Sequence, residues 1–126
     1  MEEELARALD RPALYQRIRQ HRDSLTAAEN LAADDFYVRY LVVEPLFISL
    51  GESLLISKFM PVWNRALDGF GNHDPGAGRR QQARSPWDTL HPGRQWASLL
   101  QSGTANADHQ AQAVKEYLRQ RISLDD

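Results

Sequence analysis

Asp35-Phe36-Tyr37-Val38-Arg39-Tyr40-Leu41-Val42-Val43 is the stretch on which the fold turns. Its aromatic and β-branched side chains favour extended backbone and give the one convincing strand signal in the chain. Phe36, Val38, Tyr40 and Val42 fall on one face and Tyr37, Arg39, Leu41 and Val43 on the other. Both faces are mostly apolar, which suits a strand covered on two sides. A strand also needs ladder partners for its backbone N–H and C=O groups, and no second strand is evident. The expected fold class is therefore α+β, mainly helical, with one remaining core strand, a long loop region towards the C-terminus and the rest of the sheet missing.

Outward from that stretch the pattern is helical. Glu2 to Leu9 suits a short helix, and Pro12 near a first helical position starts a second one to about Arg22. Leu14, Ile18, His21 and Leu25 make one stripe at helical spacing, so an imidazole is expected on the core-facing side, with Arg17 one turn before it on the edge. After Glu44-Pro45, a helix from about Ser49 to Phe59 ends at Pro61. Leu50, Leu54, Leu55, Ile56 and Phe59 lie nearly all round it, which predicts deep burial and puts Glu52 in apolar company. Asn64 to Gly93 holds most of the glycines and three prolines and reads as a long polar loop, followed by a short helix from Arg94 to Leu100. A terminal amphipathic helix over 107–122 carries Ala111, Val114, Leu118 and Ile122 on its apolar side.

A chain of 126 residues fits one domain. There is no run long enough to span a bilayer, no cysteine for a disulfide or thiolate zinc site, and an acidic rather than basic start, so a soluble, cytoplasmic protein is expected. The formal charge of -2 hides an uneven distribution: Asn64 to Trp96 carries five arginines against three aspartates and no glutamate. Nearly all basic groups are guanidinium, which grips phosphate or guanine bidentately, although a GC-rich genome would also favour arginine codons.

Four residues are candidates for chemistry. A carboxylate in apolar surroundings, as expected of Glu52, can hold Mg2+; the same Ser49-Leu50-Gly51-Glu52 also fits a helix capping box. Arg17 and His21, four apart, can meet one phosphate, the guanidinium neutralising charge and the imidazole relaying a proton; the plainer reading is a surface arginine and a core histidine. Asn64 can orient a phosphate oxygen or cap a turn. Asn72, His73, Asp74, Arg79, Arg80, Arg84 and Arg94 have the side-chain types that read base edges, and all are also ordinary loop constituents. His73, Asp74, His91 and His109 match no compact zinc spacing.

Leu14 to His21, Asp35 to Pro45, Ile48 to Glu52, Pro61 to Asn64, Leu67 to Gly76 and Trp87 to Arg94, in this order and spacing, resemble the GIY-YIG nucleases. The resemblance points to their type II restriction endonucleases, in the branch with SacII isoschizomers that cut CCGCGG. It implies hydrolysis of a DNA phosphodiester in a restriction-modification system, by a homodimer when complete, with double-stranded DNA as partner and Mg2+ as cofactor. Arg17 would stabilise the scissile phosphate, His21 assist proton transfer, Glu52 ligate the metal and Asn64 position the phosphate, all four converging on one phosphate. Asn72, His73, Arg79, Arg80 and Arg94 would contact DNA. About 12–64 would be the catalytic core remnant and about 65–100 the DNA-recognition loop region. The two tyrosine strands that name the family have no match in residues 1 to 11, which implies a truncated domain with little or no cutting activity. Two other readings are a non-catalytic DNA-binding module and a helical interaction protein.

Overall fold

The computed structural model describes residues 12–104 and 106–125, so the expected Glu2 to Leu9 helix lies outside the described residues. Helix α1 spans Pro12–Ala27, α2 Ile48–Phe59, α3 Val62–Arg65, α4 Pro86–Leu90, α5 Gln95–Ser98 and α6 Ala107–Asp125. Short 3-10 turns occur at Ala33–Asp35, Pro45–Phe47 and Ala77–Arg79. None of the described helices is long and apolar enough to cross a membrane.

The α+β expectation is overturned. Among the described residues there is no sheet, only an isolated parallel bridge between Ala83 and Gln101. Residues 36–43 take no regular secondary structure, and Tyr37 is 91 % exposed and Val38 62 % exposed. The side chains there favour a strand, but strand propensity acts through pairing and same-face packing, and no described segment offers an edge to pair with.

Helix α2 also departs from expectation. It has no buried residue; Leu50 is 56 % and Leu54 60 % exposed. Its N-cap is Phe47, with no side-chain cap bond, so Ser49 lies inside the helix and the expected capping box with Glu52 is not formed. Met60 closes the helix in the left-handed conformation at φ 45°, its N–H donating to the Ile56 carbonyl. The Phe59 and Met60 carbonyls left over at this end accept from the Arg121 guanidinium, and the Tyr117 hydroxyl donates to Met60, which ties α6 to the end of α2.

The core sits in the segment that the sequence presents as loop. Ala28, Leu67 and Trp87 are its buried centre, with Leu31, Trp63, Phe70, Leu90 and Val114 packed on them. Trp87 is fully buried and meets Trp63 edge-on at 5.7 Å and Phe70 at 5.3 Å between ring centroids. It is placed by α4, whose start is well defined: Ser85 caps it by accepting from the Asp88 N–H, and Pro86 occupies the first turn. Helix α6 lies against α4 and α3 and contributes Val114 to the cluster.

One ion pair lies within this core. Arg94 and Asp88 are 4 % and 2 % exposed and meet bidentately, Nε to Oδ1 and Nη2 to Oδ2, both at 2.7 Å. The guanidinium lies over the rings of both Trp87 and Trp96, 4.6 Å and 4.7 Å from their centroids. Its other N–H groups donate to the carbonyls of Gly69 (2.9 Å), Phe70 (3.0 Å) and Asn72 (3.2 Å), and Nη1 also reaches Ser24 Oγ of α1 at 3.4 Å. Gly93 lets the adjoining turn press on α1: at φ 143°, a Cβ there would lie 1.8 Å from the Ala27 carbonyl oxygen. The Pro92 carbonyl accepts from Glu29 N–H at 2.8 Å, and Asn30 bonds both Leu90 and His91.

Removing one partner of such a pair leaves a buried charge unmatched. Asp88→Ala is expected to cost about 3–5 kcal/mol, whereas Leu50→Ser on the exposed helix should change stability by less than about 0.5 kcal/mol. Urea unfolding of both variants checks this, and similar midpoints for the two would contradict it.

Candidate functional site

Helix α1 carries the first two side chains. Its stripe is seated as its spacing implies, with Leu25 buried and Leu14, Ile18 and His21 half-buried, while Arg17 on the edge is exposed. His21 stacks on Phe70, ring centroids 4.6 Å apart and planes 16° apart. Arg17 Nη1 lies 3.1 Å from His73 Nε2. The loop 69–73 that brings Phe70 and His73 to α1 is the loop whose carbonyls Arg94 holds. Gly69 in this loop, at φ 121°, comes so close to Ser85 that a Cβ would lie 2.2 Å from its hydroxyl oxygen.

These contacts form a cleft of about 180 Å³ lined by Arg17, Gln20, His21, Asn72 and His73, among others. A second cleft of about 350 Å³ adjoins it, sharing Asn72, His73 and Trp96 and extending to Gln82 and Ser85. A guanidinium, two imidazoles and two amides thus line one concave surface together with the carboxylates of Asp23 and Asp74, of which Asp74 is paired with Arg80; the guanidinium can bind a phosphate oxyanion and an imidazole can accept a proton beside it. Burial pushes the His21 imidazole below its ordinary value of 6.5, and the nearby Arg17 and His73 add to the effect. His21 is therefore neutral at physiological pH and able to take a proton. Burial lowers His91 in the same way.

The other sequence candidates lie elsewhere. Glu52 is exposed on α2, and neither it nor Asn64, exposed on α3, lines either cleft. Of the four groups expected around one phosphate, Arg17 and His21 share this cleft. Arg79 is exposed. Arg80 is paired with Asp74 at 3.3 Å, and Arg84 donates to the Ala97 and Ser98 carbonyls at 3.0 Å and 3.3 Å. Arg94, expected to face DNA, is instead the buried cation of the core.

Among the described residues no three His, Asp or Glu side chains cluster as a metal site. Glu52 has no hydrogen-bond or ion-pair partner among the described residues, and one hard carboxylate with water and substrate phosphate suits a hard divalent ion.

The residue that sequence reasoning missed is Asp88, which fixes Arg94 and through it the loop under the cleft. A signal was present: Ser85-Pro86-Trp87-Asp88 is a helix start with a capping serine, a proline in the first turn and an acidic group three residues on.

A family model described as the Eco29kI GIY-YIG domain matches residues 2–118. No curated protein matches the chain.

The lowered histidines fix the sign of the acid response. Unfolding returns His21 and His91 to about 6.5, where the unfolded chain binds more protons, so their contribution is intact above that pH and is lost as pH falls through the lower folded values. The melting temperature is expected to be lower at about pH 5.5 than at about pH 7.5, and the difference to shrink in the double variant His21→Gln, His91→Gln. An unchanged difference in that variant would exclude these rings as its source.

Proposed function

Starting from the fact that the chain belongs to the Eco29kI GIY-YIG domain family, we propose that it is the DNA-cutting domain of a type II restriction endonuclease, hydrolysing phosphodiester bonds in double-stranded DNA with Mg2+. The observation that carries the proposal is the meeting of Arg17 and His21 with Asn72 and His73 in one cleft. Arg17 binds the phosphate and offsets the charge that develops on it as water attacks. His21, held neutral by burial, accepts or relays the proton of that water. Phe70 fixes the ring of His21 by stacking and keeps one of its faces dry.

Glu52 would hold the metal, whose contribution when bound is charge stabilisation and orientation of substrate. Asn64 would orient a phosphate oxygen. Both assignments rest on family resemblance, as do the CCGCGG target, the restriction-modification setting and a homodimer that cuts both strands of a palindrome. Asn72 and Arg79 lie on the exposed loop side and suit contact with DNA.

The position of Glu52 outside the cleft favours one second reading, a module that binds DNA without cutting it. Plasmid cleavage with and without Mg2+ separates the two. For the enzyme, Mg2+-dependent breaks are expected at no more than the low rate that the sequence resemblance implies, Arg17→Ala should slow them by roughly 100-fold or more, and Glu52→Ala should remove the metal dependence together with the activity. Salt-dependent duplex binding without any cleavage would support the binding module, and no affinity for duplex at low salt would refute both.

A further inference from the structure

The contact between Arg17 Nη1 and His73 Nε2, 3.1 Å long, joins residues 56 apart in the chain. A guanidinium has donors only, so the histidine nitrogen must present its lone pair, and the neutral ring must carry its proton on Nδ1. We propose that His73 is the positioning residue of Arg17, its Nε2 lone pair holding the guanidinium in the cleft shared with His21 and Asn72. The proposal rests on Arg17 being the phosphate-binding group.

Three observations support it. Arg17 is an exposed, rotamer-rich side chain that would otherwise sample many directions, and a fixed acceptor reduces that freedom before DNA arrives. The loop closes on the same group from the other side: a Cβ at Gly71 would lie 3.0 Å from Arg17 Nη2, so the backbone of residue 71 packs directly on the guanidinium. The acceptor is itself held, because residues 69–72 are fastened by Arg94, and Asp74 next to His73 accepts from both Gly76 N–H at 2.9 Å and Arg80 at 3.3 Å.

The contact is also sensitive to protonation. A doubly protonated His73 has no lone pair to offer and would set a second cation beside Arg17. The titratable and charged groups that share its cleft are Arg17, His21 and Asp23 from α1, and Asp74 with its partner Arg80 from the loop.

Long-range ¹H–¹⁵N correlation spectra of the full chain test the contact directly. His73 is expected as the Nδ1–H tautomer in the unmodified chain, and Arg17→Ala should shift it towards the Nε2–H form; an Nε2–H tautomer in the unmodified chain would overturn the proposal. Affinity for a short mixed-sequence DNA duplex, measured without metal, tests the consequence. His73→Ala should weaken it roughly threefold to tenfold. His73→Gln, whose Oε1 reaches the place of Nε2, should restore it to within about twofold. An equal loss in both variants, or none in His73→Ala, would overturn the positioning role. The expected tautomer in a chain with no duplex affinity would support the contact and refute the proposed function instead.

Discussion

Arg94 can remain charged inside this protein only because each of its five N–H donors finds an acceptor. Two go to Asp88, whose carboxylate is held in turn by the Ser85 hydroxyl and by its place at the start of α4. The remaining three reach main-chain carbonyls of Gly69, Phe70 and Asn72. A guanidinium has a rigid planar fork, so satisfying all five at once specifies where the loop must lie, and the two indole rings packed against it leave it little room to tilt. A lysine would bring the charge without that geometry.

The cleft follows from this constraint. Phe70 and His73 are separated from Arg94 by more than twenty residues, yet they meet α1 because the carbonyls beside them are bound to the buried cation, which also touches Ser24 on α1. The stacking of Phe70 on His21 then does two things. It joins α1 to the aromatic core, because Phe70 also packs on Trp63 and Trp87, and it covers one face of an imidazole whose pKa is lowered by burial, with Arg17 and His73 adding to the effect. The packing of the loop and the surroundings of the His21 ring thus share one contact.

Much of α1, α6 and the extent of α2 was legible in sequence, because helical spacing of apolar residues needs no knowledge of distant partners. Arg17 and His21 emerged from that pattern, one on the edge of the stripe and one within it. The sheet did not follow from residues 36–43, since a strand exists only with a neighbour and propensity cannot supply one. The burial of α2 failed for a related reason: Leu50 and Leu54 are apolar enough for a core, but among the described residues that core is assembled by Trp63, Phe70, Trp87 and their neighbours. Apolar composition states what a helix would bury, and packing decides whether it does. Arg94 looked like a DNA ligand because arginine in a polar loop usually faces outward. Its partner Asp88 lies only six residues away, yet the carbonyls that complete the site lie more than twenty residues earlier.

The claim underlying all of this is that the guanidinium fork of Arg94 holds the 69–73 loop against α1. Nuclear Overhauser contacts between the His21 and Phe70 rings, compared in the unmodified chain and in Arg94→Lys, measure it most directly. The expected result is a strong contact in the unmodified chain that is lost in Arg94→Lys while α1 stays helical by circular dichroism. An unchanged ring contact in the lysine variant would contradict the claim, since the loop would then be held by something other than the fork.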